Sequence, residues 1–413
     1  MEPLRIRTPG EDDVTFLTIV FPRLARWKHA RIELDGGSPS QLQYLEQPAP
    51  LLESFSMQIP DRGQRSQVNL FQGHCPSLSE IDISGLAIKW SSSIFQNVRS
   101  ISIRDVWQHG PTVEEVLQLV GSSPRLKHFY ISGLSPSNQP LDIPPVEVPH
   151  LDSLSILYAD ASSTQHILSR IRAPTLTKLA VKPTLHQVDS YHLPTFLDVG
   201  LRHFNRTIRS GIERAHSLCI SIDWHGGIIS VSTRHAPGPG APTNEDIMLD
   251  FYNKSNTKGL QLCLGLLLPS PTLCPPISLG ITATNDIPES DLQWMLEGEI
   301  NNKVTEISFE PPNNGAFLSF LCTGRNRGGT VKWPFPSVKT LNLPRGISGR
   351  DAVRLIRQRY APAAKDFTPI QPASSGGFVH EPVDPLSQLR VEGVGFNEIE
   401  YDRLVNIVGK DIL

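Results

Sequence analysis

Few residue groupings in this sequence have a chemical reading. His74 and Cys75 are adjacent, and a histidine beside a cysteine is the raw material of an activated thiolate. Neighbours in an extended segment point to opposite faces, so these two side chains do not meet as base and nucleophile, and a structural or surface role is expected. Gly324-Arg325-Asn326-Arg327-Gly328-Gly329-Thr330 has the glycines of a phosphate-cradling loop. It lacks the lysine before the threonine, so it is read as a flexible surface loop. Arg350, Arg354, Arg357 and Arg359 give a basic helix, expected as a solvated face, with an acidic or nucleic-acid contact as the less favoured alternative. Cysteines stand at 75, 219, 263, 274 and 322 without a C-x-x-C pair, which suggests neither a zinc site nor a disulfide framework and fits a reducing compartment. H-E-x-x-H, G-x-S-x-G and G-x-G-x-x-G are all absent. The expectation is a protein that is not an enzyme, with no catalytic residues, cofactor or metal.

Composition narrows the partners. Lys plus Arg number 38 and Asp plus Glu 41, a net charge of −3, which argues against bulk nucleic-acid or anionic-membrane binding. The 413 residues include 36 prolines, well above the usual ~5%, so interruptions are frequent and long helices few. The N-terminal residues carry acids and no apolar core, unlike a secretion signal. The longest apolar stretch, Leu260 to Leu268, is about half a bilayer span and ends at Pro269. A cytoplasmic and/or nuclear protein is expected, with no membrane and no nucleic-acid partner.

One phrase recurs: apolar, two residues, apolar, one residue, apolar. It appears as Leu52-x-x-Phe55-x-Met57, Leu78-x-x-Ile81-x-Ile83, Val98-x-x-Ile101-x-Ile103, Leu126-x-x-Phe129-x-Ile131, Leu151-x-x-Leu154-x-Ile156 and Leu176-x-x-Leu179-x-Val181. Later copies are Val304-x-x-Ile307-x-Phe309, Val338-x-x-Leu341-x-Leu343 and Leu386-x-x-Leu389-x-Val391, with a looser early copy at Trp27, Ala30 and Ile32. The alternation predicts a half-buried strand, and the first apolar residue belongs to the corner leading into it. Pro76, Pro124, Pro149, Pro174 and Pro336 each stand two residues before a corner residue. There a proline fixes the backbone and stops a preceding helix.

Helical spacing separates several copies. Val113, Val116, Leu117 and Val120 share a face, and Thr112 with Glu115 can form a capping box. Further helices are predicted over 163–171, 289–296, 350–360 and 191–212, and over the C-terminal 395–413 as a final cap. Residues 218–222, 228–231, 248–251 and 260–268 read as strands, either as longer distorted units of the same kind, which is preferred, or as a hairpin excursion turning at 224–227. His235 to Pro242 reads as an exposed loop, and 367–385, rich in Pro, Ser and Gly, as a disordered insertion.

A strand with a helix or turn in about 25 residues is a unit that cannot bury its own face and must stack on neighbours. These units resemble degenerate leucine-rich repeats. In style they are similar to the repeat regions of F-box proteins expanded in mushroom-forming fungi. The segment from Phe21 through Arg26-Trp27 to Ile32-Glu33-Leu34 resembles the helix, R-W-x-x, strand unit near the N-terminal end of those regions, and Pro50-Leu51-Leu52 and Cys75-Pro76-Ser77-Leu78 resemble the units that follow. The resemblance is good over 14–183 and loose over 300–395. It implies an α/β fold, an irregular leucine-rich-repeat solenoid with a curved parallel sheet. One solenoid is expected over 1–413, clearest over 14–183, with an irregular middle at 184–300, later repeats at 301–395 and a capping helix at 396–413. Regular repeats place Asn or Cys at position nine, whereas here Leu86, Val106, Leu134, Ala159 and Thr184 stand there, so irregular loops are expected. The chain starts directly in the first unit with no F-box in its sequence. Two expectations follow: a chain shortened relative to its relatives, and an exposed strand edge near Ala30 to Leu34.

By that resemblance the function is a non-catalytic protein-binding scaffold, similar to the substrate-recognition repeats of a ubiquitin-ligase receptor. A Skp-type adaptor and cullin are implied only if an F-box lies upstream. The alternative is an F-box-independent repeat scaffold with no ligase role. In such repeats the side chains between the buried strand positions face the concave side. These are Ser54, Ser56 and Gln58, Glu80, Asp82 and Ser84, Ser100, Ser102 and Arg104, His128, Tyr130 and Ser132, Ser153, Ser155 and Leu157, and Lys178, Ala180 and Lys182. Asp82, Arg104, His128, Tyr130, Lys178 and Lys182 are the candidate protein-binding residues; Tyr and Arg are enriched at interface hot spots.

Overall fold

Strict alternation of apolar and polar residues over five positions leaves the chain one economical choice, an extended strand with one wet face. The computed structural model describes residues 4–8, 21–34, 42–59, 67–96, 98–106, 109–134, 143–184, 196–223, 228–235, 246–252, 274–282, 302–310, 321, 325–327, 330–332, 334–343, 347–360, 379–380, 383–391 and 397–408. They fall into two compact units, Met1–Ile208 with Asp246–Leu249, and Arg209–Glu245 with Asp250–Leu413.

The first unit is mixed α/β. Its strands are β1 (Leu4–Thr8), β2 (His29–Leu34), β3 (Ser54–Gln58), β4 (Glu80–Ser84), β5 (Ser100–Arg104), β6 (His128–Ser132), β7 (Val146–Glu147), β8 (Ser153–Ala159), β9 (Ile171–Arg172) and β10 (Lys178–Pro183). The main sheet runs β1-β2-β3-β4-β5-β6-β8-β10, all parallel, and Ile247–Leu249 pair parallel to β10 on its far side. The short β7 and β9 pair with each other. Among the described residues, the connections between β2 and β5 contain short 3-10 turns, and later ones contain the helices α1 (Val113–Ser122) and α2 (Ala161–Arg170). β1 covers the edge of β2, so the edge expected at Ala30 to Leu34 is paired. The alternation Leu4, Ile6, Thr8 was the available signal for β1.

The recurring corner is a tight turn. The Leu78 N–H donates to the Cys75 carbonyl at 3.1 Å, and Leu126, Leu151 and Leu176 do the same to Ser123, Val148 and Ala173. Proline is the second residue of each turn, where its fixed φ is already correct. The chain then enters the strand by a shared acceptor. Ser79 and Glu80 N–H both donate to the Glu53 carbonyl, Arg99 and Ser100 to that of Ser79, and Lys127 and His128 to that of Arg99. This ladder carries backbone satisfaction from one unit to the next. The capping box on α1 is present in both halves, with Glu115 N–H on Thr112 Oγ1 at 3.2 Å and Thr112 N–H on Glu115 Oε2 at 2.9 Å.

The residues after β4, β5 and β6, Gly85, Asp105 and Gly133, all take positive φ, as does Tyr158 at the matching place in β8. This left-handed step turns the next residue into the core: Leu86, Val106, Leu134 and Ala159 are buried. Position nine is therefore a core position. The turn's backbone is satisfied across the sheet instead, as in Gly85 N–H to the Arg104 carbonyl at 2.9 Å. Ser84 and Ser132, at outward positions of β4 and β6, are nonetheless buried, and Ser84 Oγ donates to Asp105 Oδ2 at 3.1 Å. Glycine and aspartate tolerate left-handed backbone, but tyrosine is strained there by about 1–2 kcal/mol. Tyr158→Gly relieves that strain but adds glycine entropy and loses the ring's contact with Lys182, each about 0.5–1 kcal/mol, so stability is expected to change by less than about 1 kcal/mol. A urea midpoint close to that of the unaltered chain is the check.

The second unit is also mixed α/β. It has β11 (Ser217–Asp223), β12 (Ile228–Arg234), β14 (Ile277–Thr282), β15 (Val304–Glu310), β18 (Thr340–Leu343) and β20 (Gln388–Val391), in the order β12-β11-β14-β15-β18-β20. β13 (Ile247–Tyr252) begins in the first unit and ends in the second, and α3 (Asn205–Arg214) also crosses the division. β11 and β12 pair antiparallel from Ser217↔Arg234 to Asp223↔Ile228. The hairpin is thus the reading that holds, and continuation as distorted units fails at this point. Alternation alone does not distinguish parallel from antiparallel pairing, which is why the two readings stood open.

A smaller sheet contains β16 (Arg325–Arg327), β17 (Thr330–Lys332) and β19 (Val379–His380). Arg327 pairs with Thr330, so the glycine-rich segment read as a loop carries two short antiparallel strands; Gly324, Gly328 and Gly329 lie outside the described residues. β19 falls inside 367–385, so that insertion is ordered in part; 367–378 lie outside the described residues. The expected helix at 289–296, the apolar run 260–268 and the loop 236–242 also lie outside them.

α4 (Gly349–Tyr360) and α5 (Glu398–Val408) pack together. Arg350, Arg354 and Arg357 are exposed, but Arg359 is only 3% exposed and donates to the carbonyls of Leu321 and Phe335. The basic helix is therefore not uniformly a solvated face. On α5, Leu404 is buried while Ile399 is 65% exposed, so the apolar stripe expected there is shorter. Among the described residues no helix is long and apolar enough to cross a membrane.

Candidate functional site: the open face of the first sheet

In the first unit one sheet face is core. Phe55, Met57, Ile81, Ile83, Ile101, Ile103, Phe129 and Ile131 are buried. Most of the alternate residues on the other face are half-buried or exposed, while Ser84 and Ser132 are buried. Parallel register sets them in rows. One runs Arg31, Ser56, Asp82, Ser102, Tyr130, Ser155, Ala180, and the row beside it His29, Ser54, Glu80, Ser100, His128, Ser153, Lys178. Strands lie about 4.8 Å apart, so each row is a ladder of near neighbours.

The rows are not level. Ser54, Ser56, Ser100 and Ser102 are short, while Arg31 on β2 and Tyr130 on β6 are long. The result is a trough of about 620 Å³ lined by these residues with Glu80, Asp82 and Arg104. Arg104 Nη2 holds both Asp82 oxygens, at 2.8 and 2.6 Å, and Ser56 Oγ donates to Asp82 Oδ2 at 3.4 Å. That carboxylate hydrogen bond keeps the Arg104 guanidinium protonated above its ordinary range, against a smaller opposing effect of burial. Arg104 Nε is buried and has no hydrogen-bond partner. Half-burial pushes the Tyr130 phenol up, partly offset by Arg104. Tyr130 is thus a neutral hydroxyl and ring at ordinary pH. At the trough's outer wall Arg31 pairs with Glu33 at 2.8 Å.

Of the candidate residues, Asp82, Arg104 and Tyr130 are brought together in the trough. His128 lies exposed one row over at the start of β6, and Lys178 is half-buried at the start of β10. Lys182 Nζ sits 5.4 Å from the Tyr158 ring centroid, in the geometry of a cation over an aromatic face. Tyr158 is 40% exposed and escaped the sequence reading because the left-handed step, not the strand alternation, aims it. Arg31 and Glu33 were missed because the β2 copy of the phrase is loose, with Trp27 and Ala30 in place of larger aliphatic residues.

His74 is exposed and Cys75 buried, so the pair separates as extended neighbours must. Cys75 Sγ donates to the Ala49 carbonyl at 3.2 Å, and burial pushes the thiol from 9.0 up to about 12. Because the folded chain holds this proton more tightly than the unfolded chain, its contribution to stability is complete below pH 9.0 and is lost as pH rises towards about 12. Cys75 is expected to resist iodoacetamide at pH 8 in the folded chain about a thousand-fold more than in the unfolded chain. Peptide mapping after alkylation is the check. Among the described residues no group of three His, Cys, Asp or Glu is placed to hold a metal ion. The sequence matches no known family model, and comparison with curated proteins finds no match.

Proposed function

We propose that this protein is a non-catalytic protein-binding scaffold, an irregular leucine-rich-repeat solenoid that holds a target on the open face of its first sheet. The observation that carries the reading is the trough on that face, with a charged pair at its centre and a tyrosine at its wall. The resemblance to the substrate-recognition repeats of fungal F-box proteins makes delivery of that target to a ubiquitin ligase the leading role. Recurrent corner turns, in-order parallel pairing and the ladder of shared carbonyls support the repeat reading. The compartment proposed is cytoplasm and/or nucleus.

The test is capture of the natively expressed protein, tagged at its C-terminus at its own locus, with partners identified by mass spectrometry. A Skp-type adaptor and cullin recovered with a target support the receptor role. Stoichiometric recovery of other proteins without the adaptor supports a free-standing scaffold. Recovery of no protein partner contradicts both.

A further inference from the structure

We propose that the trough takes a basic side chain, a lysine or arginine carried on an extended segment of the partner protein, with Glu80 as its counter-ion. This rests on the protein-binding reading and adds the partner's chemistry.

Of the charged residues lining the trough, Arg31, Asp82 and Arg104 are in ion pairs and Glu80 is the remainder. Arg31 is held by Glu33 at 2.8 Å, and Asp82 is held by Arg104 at 2.6 Å. Glu80 is exposed, makes no ion pair among the described residues, and receives one long hydrogen bond, from Ser54 Oγ at 3.5 Å. Its neighbours in register are Ser54 on one side and Ser100 on the other. Both are short, so an incoming side chain reaches the carboxylate unobstructed, and both hydroxyls can accept from an ammonium or guanidinium. Asp82, one step along the strand, is already paired with Arg104.

Other occupants fit less well. An acidic segment would place a like charge against Glu80, and its natural counter-ions Arg31 and Arg104 are engaged. An apolar segment would bury Glu80 with no partner, which is costly. A free small cation would leave most of the trough empty, since the serine floor spans three strands, about 10 Å across. An extended chain with one basic side chain fills that width and completes the charge balance.

The test uses the full chain, immobilised and panned with a displayed library of random peptides, followed by affinity measurement on one synthesised winner. The expected winners share a Lys or Arg at one position. Glu80→Gln should weaken the winner about ten-fold or more. Glu80→Arg should abolish its binding and select acidic peptides instead. Glu80→Gln keeps the side chain's shape, and an unchanged unfolding midpoint separates lost binding from lost fold. Peptides that depend on Arg104 and Tyr130 but not on Glu80 would overturn this inference and leave the scaffold reading standing. Failure to select any peptide on this face would overturn both.

Discussion

Phe55→Ala is expected to cost about 3–5 kcal/mol, while Ser56→Ala beside it changes stability by no more than about 0.5 kcal/mol. Phe55, the second residue of β3, is buried and meets the Phe71 ring edge-on, with centroids 5.0 Å apart and planes at 87°. Truncation removes the ring's transfer free energy, leaves a cavity and dissolves the aromatic pair, which alone is worth about 0.5–1.5 kcal/mol. Phe71 is itself at positive φ, as is Gln72, so this turn is held by packing rather than by backbone preference. Ser56, one residue from Phe55, points to the open face and donates to Asp82. The contrast between adjacent positions is the direct signature of the register, because a slip by one residue would exchange the two results. Urea unfolding of the two variants is the measurement.

Arg359→Leu is expected to cost about 3 kcal/mol, against a change within about 0.5 kcal/mol for Arg357→Ala. The Arg359 guanidinium is buried and serves the carbonyls of Leu321 and Phe335. Phe335 is itself buried and at positive φ, and its carbonyl also accepts the Val338 N–H at 3.2 Å, so Arg359 supplies a second hydrogen bond to it. Leucine fills part of the space but removes both buried hydrogen bonds of the guanidinium. Arg357, on the exposed side of the same helix, loses only solvated charge. Thermal or urea unfolding monitored in both variants separates the two roles.

How much of this was legible in the sequence follows from what each signal encodes. Period-two alternation states which strand residues are inside, and Leu52, Phe55, Leu78, Ile81, Leu126, Phe129, Leu154 and Leu179 are all buried as that pattern requires. Proline before the corner marked the turn, and the Thr112–Glu115 spacing marked the start of α1, because each is a local stereochemical demand. Pairing partners are not local. The antiparallel hairpin of β11 and β12, the small sheet at 325–332 and 379–380, and β1 over β2 depend on contacts between distant segments that no spacing expresses. Arg359 shows the same limit, since four arginines on one helix look alike until a neighbouring carbonyl selects one.

The candidate site was legible as columns but not as a shape. Asp82, Arg104 and Tyr130 lie on one face because they occupy alternate strand positions. That Arg104 would reach across to Asp82, that four serines would make a floor, and that Ser84 and Ser132 would be covered despite their outward register could not be read from spacing, nor could the left-handed step after each strand. Asp105 in that step, like the glycines, reads as an ordinary loop residue until its φ is seen.

The most direct measurement of the central claim is quantitative capture of partner proteins by the full chain and by a chain carrying Arg104→Ala, Tyr130→Ala and Lys182→Ala. Circular dichroism and the unfolding midpoint verify that both are folded. The account predicts that the partner recovered by the unaltered chain is reduced at least about ten-fold with the triple variant, as expected when interface hot spots are removed. Equal recovery by both chains would contradict the claim that this face binds the partner.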